Sequence, residues 1–203
     1  MNPATTAVVL VGYQNDYFAL DGILRGVIED SRNVDAVLAN TMHFLHATAD
    51  TGLTMISTPI VLTPEYRALA SPVGILHAIK DSGAFAAGTV GAEDIPEFAE
   101  FGDRILRVSG KEGFNAFSDT LLEDVLRERG IQDVLVAGMV TSLCIDSTGR
   151  AAYERGYSVT ILSDCTSART ATEQDFFCEN VFPLYGRAIT STEALAEMME
   201  LAA

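Results

Sequence analysis

Basic residues are scarce in this chain: 13 Lys and Arg stand against 28 Asp and Glu across 203 residues, a formal net charge of −15. Binding a phosphate backbone requires a basic surface, so this balance argues against a nucleic-acid partner and serves solubility instead. Cysteine is sparse too. Cys144, Cys165 and Cys178 are odd in number and never spaced C-x-x-C. That pattern argues against a disulfide scaffold or zinc ribbon and fits a reducing cytoplasm. No apolar run is long enough to span a bilayer, which argues against a membrane partner. The opening MNPATTAVVLVGYQND lacks the basic n-region of a secretory signal. Histidine is limited to His43 and His46, spaced i, i+3, and to a solitary His77. So small a ligand inventory predicts no metal, and no cofactor is expected. Internal repeats and low-complexity segments are absent.

What is present is an alternation of short apolar runs with helix-like segments. Strands are expected at Ala7–Val11, Leu53–Ser57, Arg104–Val108, Val134–Ala137, Ser158–Leu162 and near Arg187–Ile189. Helical spacing marks Asn33–Ala49, Asp119–Arg129, Ile145–Arg155, Thr172–Val181 and Thr192–Leu201. Strands apolar throughout are covered on both faces. Alternating with helices, they predict an α/β fold: a mainly parallel sheet with right-handed crossovers, as one domain over residues 1–203. Sites in such sheets lie beyond the carboxyl ends of the strands. Three ends therefore matter: Gly12–Asp16, Gly110–Phe117 and Gly138–Cys144. The stretch from Pro59 to Gly102 breaks the alternation. It reads as a functional lid or mobile loop, or as short helices around Ala68 and Leu76 that contact a neighbouring subunit.

The most informative stretch is VLVAGMVTSLCIDSTGRAAYERG, Val134 to Gly156. An apolar run stops at Gly138, and Cys144 opens a segment of helical period. A thiol at a helix start meets free backbone N–H groups, which favour negative charge and lower a thiol pKa. Cysteine is also among the most buried residue types, so simple packing competes with a nucleophile at this position. Lys111 follows a glycine at a strand end beside Phe114 and Phe117. It is either a solvated lysine or a cation that steadies a thiolate. SGKEGF is not a phosphate loop, because the earlier glycine and the following Ser/Thr are missing.

Taken together, GYQNDYF, SGKEGFNAF with Thr120-x-Leu122, GMVTSLC, AAYERGYSV and Asp164 resemble the isochorismatase-like cysteine hydrolases along nearly the whole chain. This superfamily includes nicotinamidases, ureidoacrylate and N-carbamoyl amidohydrolases, and isochorismatases. The resemblance implies a three-layer Rossmann-like sandwich around a six-stranded, mainly parallel sheet, and an Asp–Lys–Cys triad. Cys144 matches the nucleophile and Lys111 the lysine. The N–H groups of Val140 and Cys144 match the oxyanion hole, with a non-proline cis peptide between Met139 and Val140. A homodimer or homotetramer is implied as well.

Two departures stand out. The triad aspartate position is Gly12: the chain reads V-G-Y-Q-N-D where V-D-x-Q-N-D is expected. Glycine cannot accept the thiol proton. Asp16 is a possible substitute base, although it also reads as a turn residue bonding local N–H groups; Glu65, Glu112 or a water are others. Second, the stretch STPIVLTPEYRAL lacks the histidines of the nicotinamidase metal set, which counts against that branch. Isochorismatases proper use the aspartate as an acid, so Gly12 argues against their vinyl-ether chemistry more strongly than against amide hydrolysis. The expectation is a hydrolase of a small amide, ureido or carbamoyl C–N bond through a Cys144 acyl-enzyme. Tyr13, Tyr17, Phe18, Phe85, Phe114 and Phe117 are candidate walls of a small-molecule pocket, most of them equally readable as core. The alternative is an impaired or deliberately disabled member that binds a small ligand without turnover.

Overall fold

The computed structural model describes residues 1–200. In chain order it contains β1 (Thr6–Val11), α1 (Asn15–Phe18), α2 (Ser31–Thr48), β2 (Thr54–Thr58), α3 (Gly74–Ser82), β3 (Ile105–Arg107), α4 (Leu122–Glu128), β4 (Asp133–Met139), α5 (Asp146–Glu154), β5 (Ser158–Ser167), α6 (Ala171–Phe176), β6 (Arg187–Ile189) and α7 (Ser191–Glu200). Leu201, expected to end the last helix, lies outside the described residues.

All strand pairs are parallel, in the order β3-β2-β1-β4-β5-β6. This is the α/β sheet expected from apolar runs alternating with helices. Every residue of β1 and β2 is buried, as strands covered on both faces require. The strand order reverses between β1 and β4, the kind of switch point where α/β sheets open a crevice for ligands. Register places Val11 opposite Gly138, so the ends of these two strands meet there.

Two strands run further than their apolar cores. β4 continues through Gly138 to Met139 rather than stopping at the glycine, and the Met139–Val140 peptide bond is cis. β5 extends to Ser167 through polar Ser163, Asp164 and Thr166. The Asp164 carboxylate explains part of that extension: it accepts from Ser191 N at 2.7 Å and Ser191 Oγ at 2.8 Å, holding the first turn of α7.

The Pro59–Gly102 stretch carries α3 and short 3-10 turns at Val90–Ala92 and Pro96–Arg104. Leu76 falls within α3, whereas Ala68 lies in a turn. A buried amide is one of the ties that fasten the stretch to the sheet. Gln14 Nε2 donates to Ile60 O (2.7 Å) and Ala92 O (2.8 Å), and its Oε1 accepts from Ile60 N (2.8 Å).

Candidate active site

Lys111 and Cys144 converge at the switch point from opposite sides. Ile60, just beyond β2, forms an isolated parallel bridge with Lys111, and Val61 N donates to Lys111 O at 3.3 Å. Gln14 therefore sets Ile60, and Ile60 sets Lys111. On the other side, β4 runs into a π-helical turn, Thr141–Ile145, that carries Cys144 into α5. Lys111 Nζ lies 3.7 Å from Cys144 Sγ and donates to Gly113 O at 2.6 Å. Lys111 is 0 % exposed and Cys144 3 %. Burial pulls the Lys111 ammonium below its ordinary pKa, while the neighbouring Cys144 acts in the opposite direction.

The turn before the thiol is pinned by a second amide, the half-buried one of Gln174. Thr141 Oγ1 donates to Gln174 Oε1 at 2.7 Å, and the same oxygen accepts from Ala168 N at 2.8 Å. Gln174 Nε2 then reaches Ser163 O at 3.0 Å and Thr166 Oγ1 at 3.2 Å. Thr148 Oγ1 accepts from Ala116 N at 3.1 Å, tying α5 to the segment that follows Lys111. Val140 is the residue immediately before the π turn, and helix starts leave backbone N–H groups unpaired. Gln14, Thr148 and Gln174 received no role from the sequence. Gln14 stands in the GYQND run, but a buried amide declares its function only through partners remote in the chain.

At Gly12 the backbone is left-handed, with φ of 71°. A Cβ built there would lie 3.3 Å from Met139 O and 3.5 Å from Tyr17 Cε2. The Tyr17 ring thus lies against the place from which a side chain at position 12 would project. Tyr17 packs on Phe85 with ring centroids 5.3 Å apart. Its phenol is held well above the ordinary range by burial first, and then by negative charge at Cys144 and Asp16.

Asp16 faces the long connecting stretch. Its Oδ2 accepts from Phe85 N at 2.6 Å, and a Cβ on Gly91 would fall 2.2 Å from its Oδ1, so loop backbone lies directly against the carboxylate. A buried hydrogen bond to a charged group contributes about 1.5–3 kcal/mol. Asp16→Ala is expected to lower the unfolding free energy by about 2 kcal/mol, read from urea unfolding. A loss below about 0.5 kcal/mol would show that the tether contributes nothing.

The other aromatic candidates sit apart from the thiol. The Tyr13 hydroxyl pairs with Thr41 Oγ1 at 2.6 Å and donates to Cys165 O at 3.1 Å, and Phe18 stacks on the Tyr13 ring at 4.9 Å. Both are core residues: the chain turns at Gly12, and the Tyr13 hydroxyl reaches across to α2 and to β5. Phe117 lies under the Arg155 guanidinium at 4.8 Å and stacks with Tyr157 at 6.4 Å. The Arg155 guanidinium also donates to Ala151 O at 2.9 Å, so Phe117 packs against the second half of α5. His43 and His46 are exposed on α2; His46 lies 3.5 Å from Glu100, and His77 lies 3.1 Å from Asp81.

With this geometry in place, comparison with known proteins gives one answer. The family model described as Isochorismatase domain matches residues 6–194. The chain belongs to the isochorismatase family. An uncharacterized isochorismatase family protein of Bacillus subtilis, YwoC, is 31% identical over 108 residues, covering 53% of this chain and 56% of the relative. The ureidoacrylate amidohydrolase RutB of Methylobacterium radiotolerans is 25% identical over 179 residues, covering 82% of this chain and 68% of the relative. The chain spans about half the length of several of the curated relatives it matches. Among solved structures, a cysteine hydrolase from Pseudomonas syringae pv. phaseolicola superimposes with a TM-score of 0.80 at 22% identity, covering 98% of this chain and 95% of that one. This is a likeness of fold. The six-stranded parallel sheet of this chain agrees with that likeness.

Proposed function

We propose that this protein is a cysteine hydrolase that cleaves a small amide, ureido or carbamoyl C–N bond through an acyl-enzyme on Cys144. The observation that carries this reading is the buried Lys111 amine 3.7 Å from the Cys144 thiol. A cation beside a thiolate stabilises the nucleophilic form. The thiolate attacks the carbonyl carbon, and the N–H groups of Val140 and Cys144 receive the developing oxyanion; fixed donors of that kind are often the largest catalytic contribution. Tyr17 supplies one wall. The ureidoacrylate activity named for RutB, the relative that covers most of this chain, supports the ureido class. A second reading, ligand binding without turnover, rests on Gly12, which supplies no carboxylate to the pair.

Alkylation with iodoacetamide at neutral pH tests the nucleophile. Cys165 is pushed up to about 12, chiefly by burial and next by Asp164. Cys178 is pushed up to about 11, chiefly by burial and next by Asp175 and Glu179. The expected adduct, mapped by mass spectrometry, is therefore on Cys144 alone. Modification of Cys165 or Cys178 with Cys144 untouched would remove the basis of the reading. Release of ammonia from ureidoacrylate and other small carbamoyl compounds then separates turnover from binding alone.

A further inference from the structure

Hydrolysis at Cys144 needs a group that takes the thiol proton, returns a proton to the departing nitrogen, and then activates water. Gly12 has no side chain for this. The carboxylates near it in sequence or in the connecting stretch are engaged or outside: Asp16 holds Phe85 N, Glu65 is exposed and 3.7 Å from Arg67, and Glu112 is exposed. The titratable groups facing the Lys111–Cys144 pair are Tyr17 on α1 and, behind it, Asp16. The buried Tyr17 phenol keeps its proton. The Lys111 amine has Gly113 O and Cys144 Sγ as its hydrogen-bond partners, and among the described residues no carboxylate pairs with it. In an Asp–Lys–Cys arrangement the carboxylate would hold the lysine charged. Here the formal negative charge beside the amine is the thiolate that the amine itself creates.

We propose that Lys111 is itself the proton carrier of a two-residue Cys144–Lys111 site. The proposal rests on Cys144 being the nucleophile. Buried lysines reach the neutral form readily and serve as general bases, and burial has moved Lys111 in that direction. The neutral Nζ accepts the Cys144 S–H proton as Sγ bonds to the carbonyl carbon and the C=O π pair moves onto oxygen. When the tetrahedral adduct collapses, the C–N bond breaks and the Lys111 ammonium gives its proton to the leaving nitrogen. The products of this half are a free amine, a thioester and neutral Lys111. Water then attacks the thioester carbon while Nζ takes its proton; the C–S bond breaks, and the thiolate recovers that proton from the ammonium. The sum is amide plus water giving acid plus amine, with both residues restored.

The test uses p-nitrophenyl acetate, whose phenolate leaves without needing a proton, so acylation and water attack are read separately. The Lys111→Arg variant keeps a cation beside the thiol, but a guanidinium does not exchange its proton. The expected result is a retained burst of p-nitrophenolate and acetyl-Cys144, with steady-state turnover lowered about 10²- to 10⁴-fold. Turnover by Lys111→Arg within about tenfold of the unsubstituted enzyme would overturn the carrier role, because that change is far short of losing a general base. If the larger side chain unfolds the site, Lys111→Ala with added methylamine serves instead. Acetate release restored in proportion to free methylamine supports the proposal; full turnover by Lys111→Ala without amine overturns it. Failure of the unsubstituted enzyme to form acetyl-Cys144 would remove the nucleophile reading itself. Acetyl-Cys144 with normal turnover in Lys111→Arg would remove the proton carrier alone.

Discussion

Cys144→Ala is expected to lower hydrolysis by about 10⁴- to 10⁶-fold, the scale on which removal of a covalent nucleophile acts. The size of the effect follows from where the thiol sits. The pair is buried and 3.7 Å apart, so water does not easily substitute for the missing sulfur. The donors of the 141–145 turn and the Lys111 amine remain, which leaves only binding and polarisation of the carbonyl. Steady-state kinetics on whichever carbamoyl compound is turned over checks this, together with ligand titration of the variant. Affinity should stay within a few fold while turnover disappears. A variant that hydrolyses within tenfold of the unsubstituted enzyme would exclude an acyl-enzyme on Cys144. Unchanged binding in a protein that never turned over would favour the ligand-binding reading.

The largest effect on stability is expected at Gly138. A Cβ there would lie 1.9 Å from Val11 O and 2.8 Å from Val11 C, at a backbone φ of 127°. Val11 is its register partner in the central strand pair, so the obstacle is backbone rather than a side chain able to swing away. Gly138→Ala must push β1 and β4 apart where Gly12 and Val140 leave the sheet. A loss of more than about 4 kcal/mol is expected, against a typical total near 5–15 kcal/mol. Thermal unfolding and soluble yield measure it. A loss under about 1 kcal/mol would mean that the strands accommodate the methyl group and that their approach here is loose.

Much of this architecture is legible in the amino-acid sequence because strand and helix periods differ. The runs at Ala7–Val11 and Val134–Ala137 and the helical spacing of Asn33–Ala49 each locate an element to within a few residues. Lys111 and Cys144 are legible for a related reason: both lie a few residues past the carboxyl end of a strand, and parallel sheets gather such ends. The extensions of β4 and β5 are hidden because they depend on long-range partners. Asp164 looks like loop chemistry until Ser191 is beside it. Aromatic residues were the least informative. Tyr13 and Tyr17 are four residues apart, yet one joins the core beneath α2 and the other lies near the thiol. The GYQNDYF run contains both, but the direction of each ring is set by the turn at Gly12.

That turn also restricts how a carboxylate could be placed at position 12. Gly12→Asp would place its first side-chain carbon in a left-handed backbone, 3.5 Å from the Tyr17 ring and 3.3 Å from Met139 O. Aspartate tolerates such a backbone better than most residues, but at a cost of about 1–2 kcal/mol. The new side chain would then start in van der Waals contact with the Tyr17 ring. Positions 12 and 17 are therefore coupled, and their substitutions are not additive. A carboxylate at position 12 therefore costs backbone stability at the turn, and the residue at position 17 sets how much room its oxygens have.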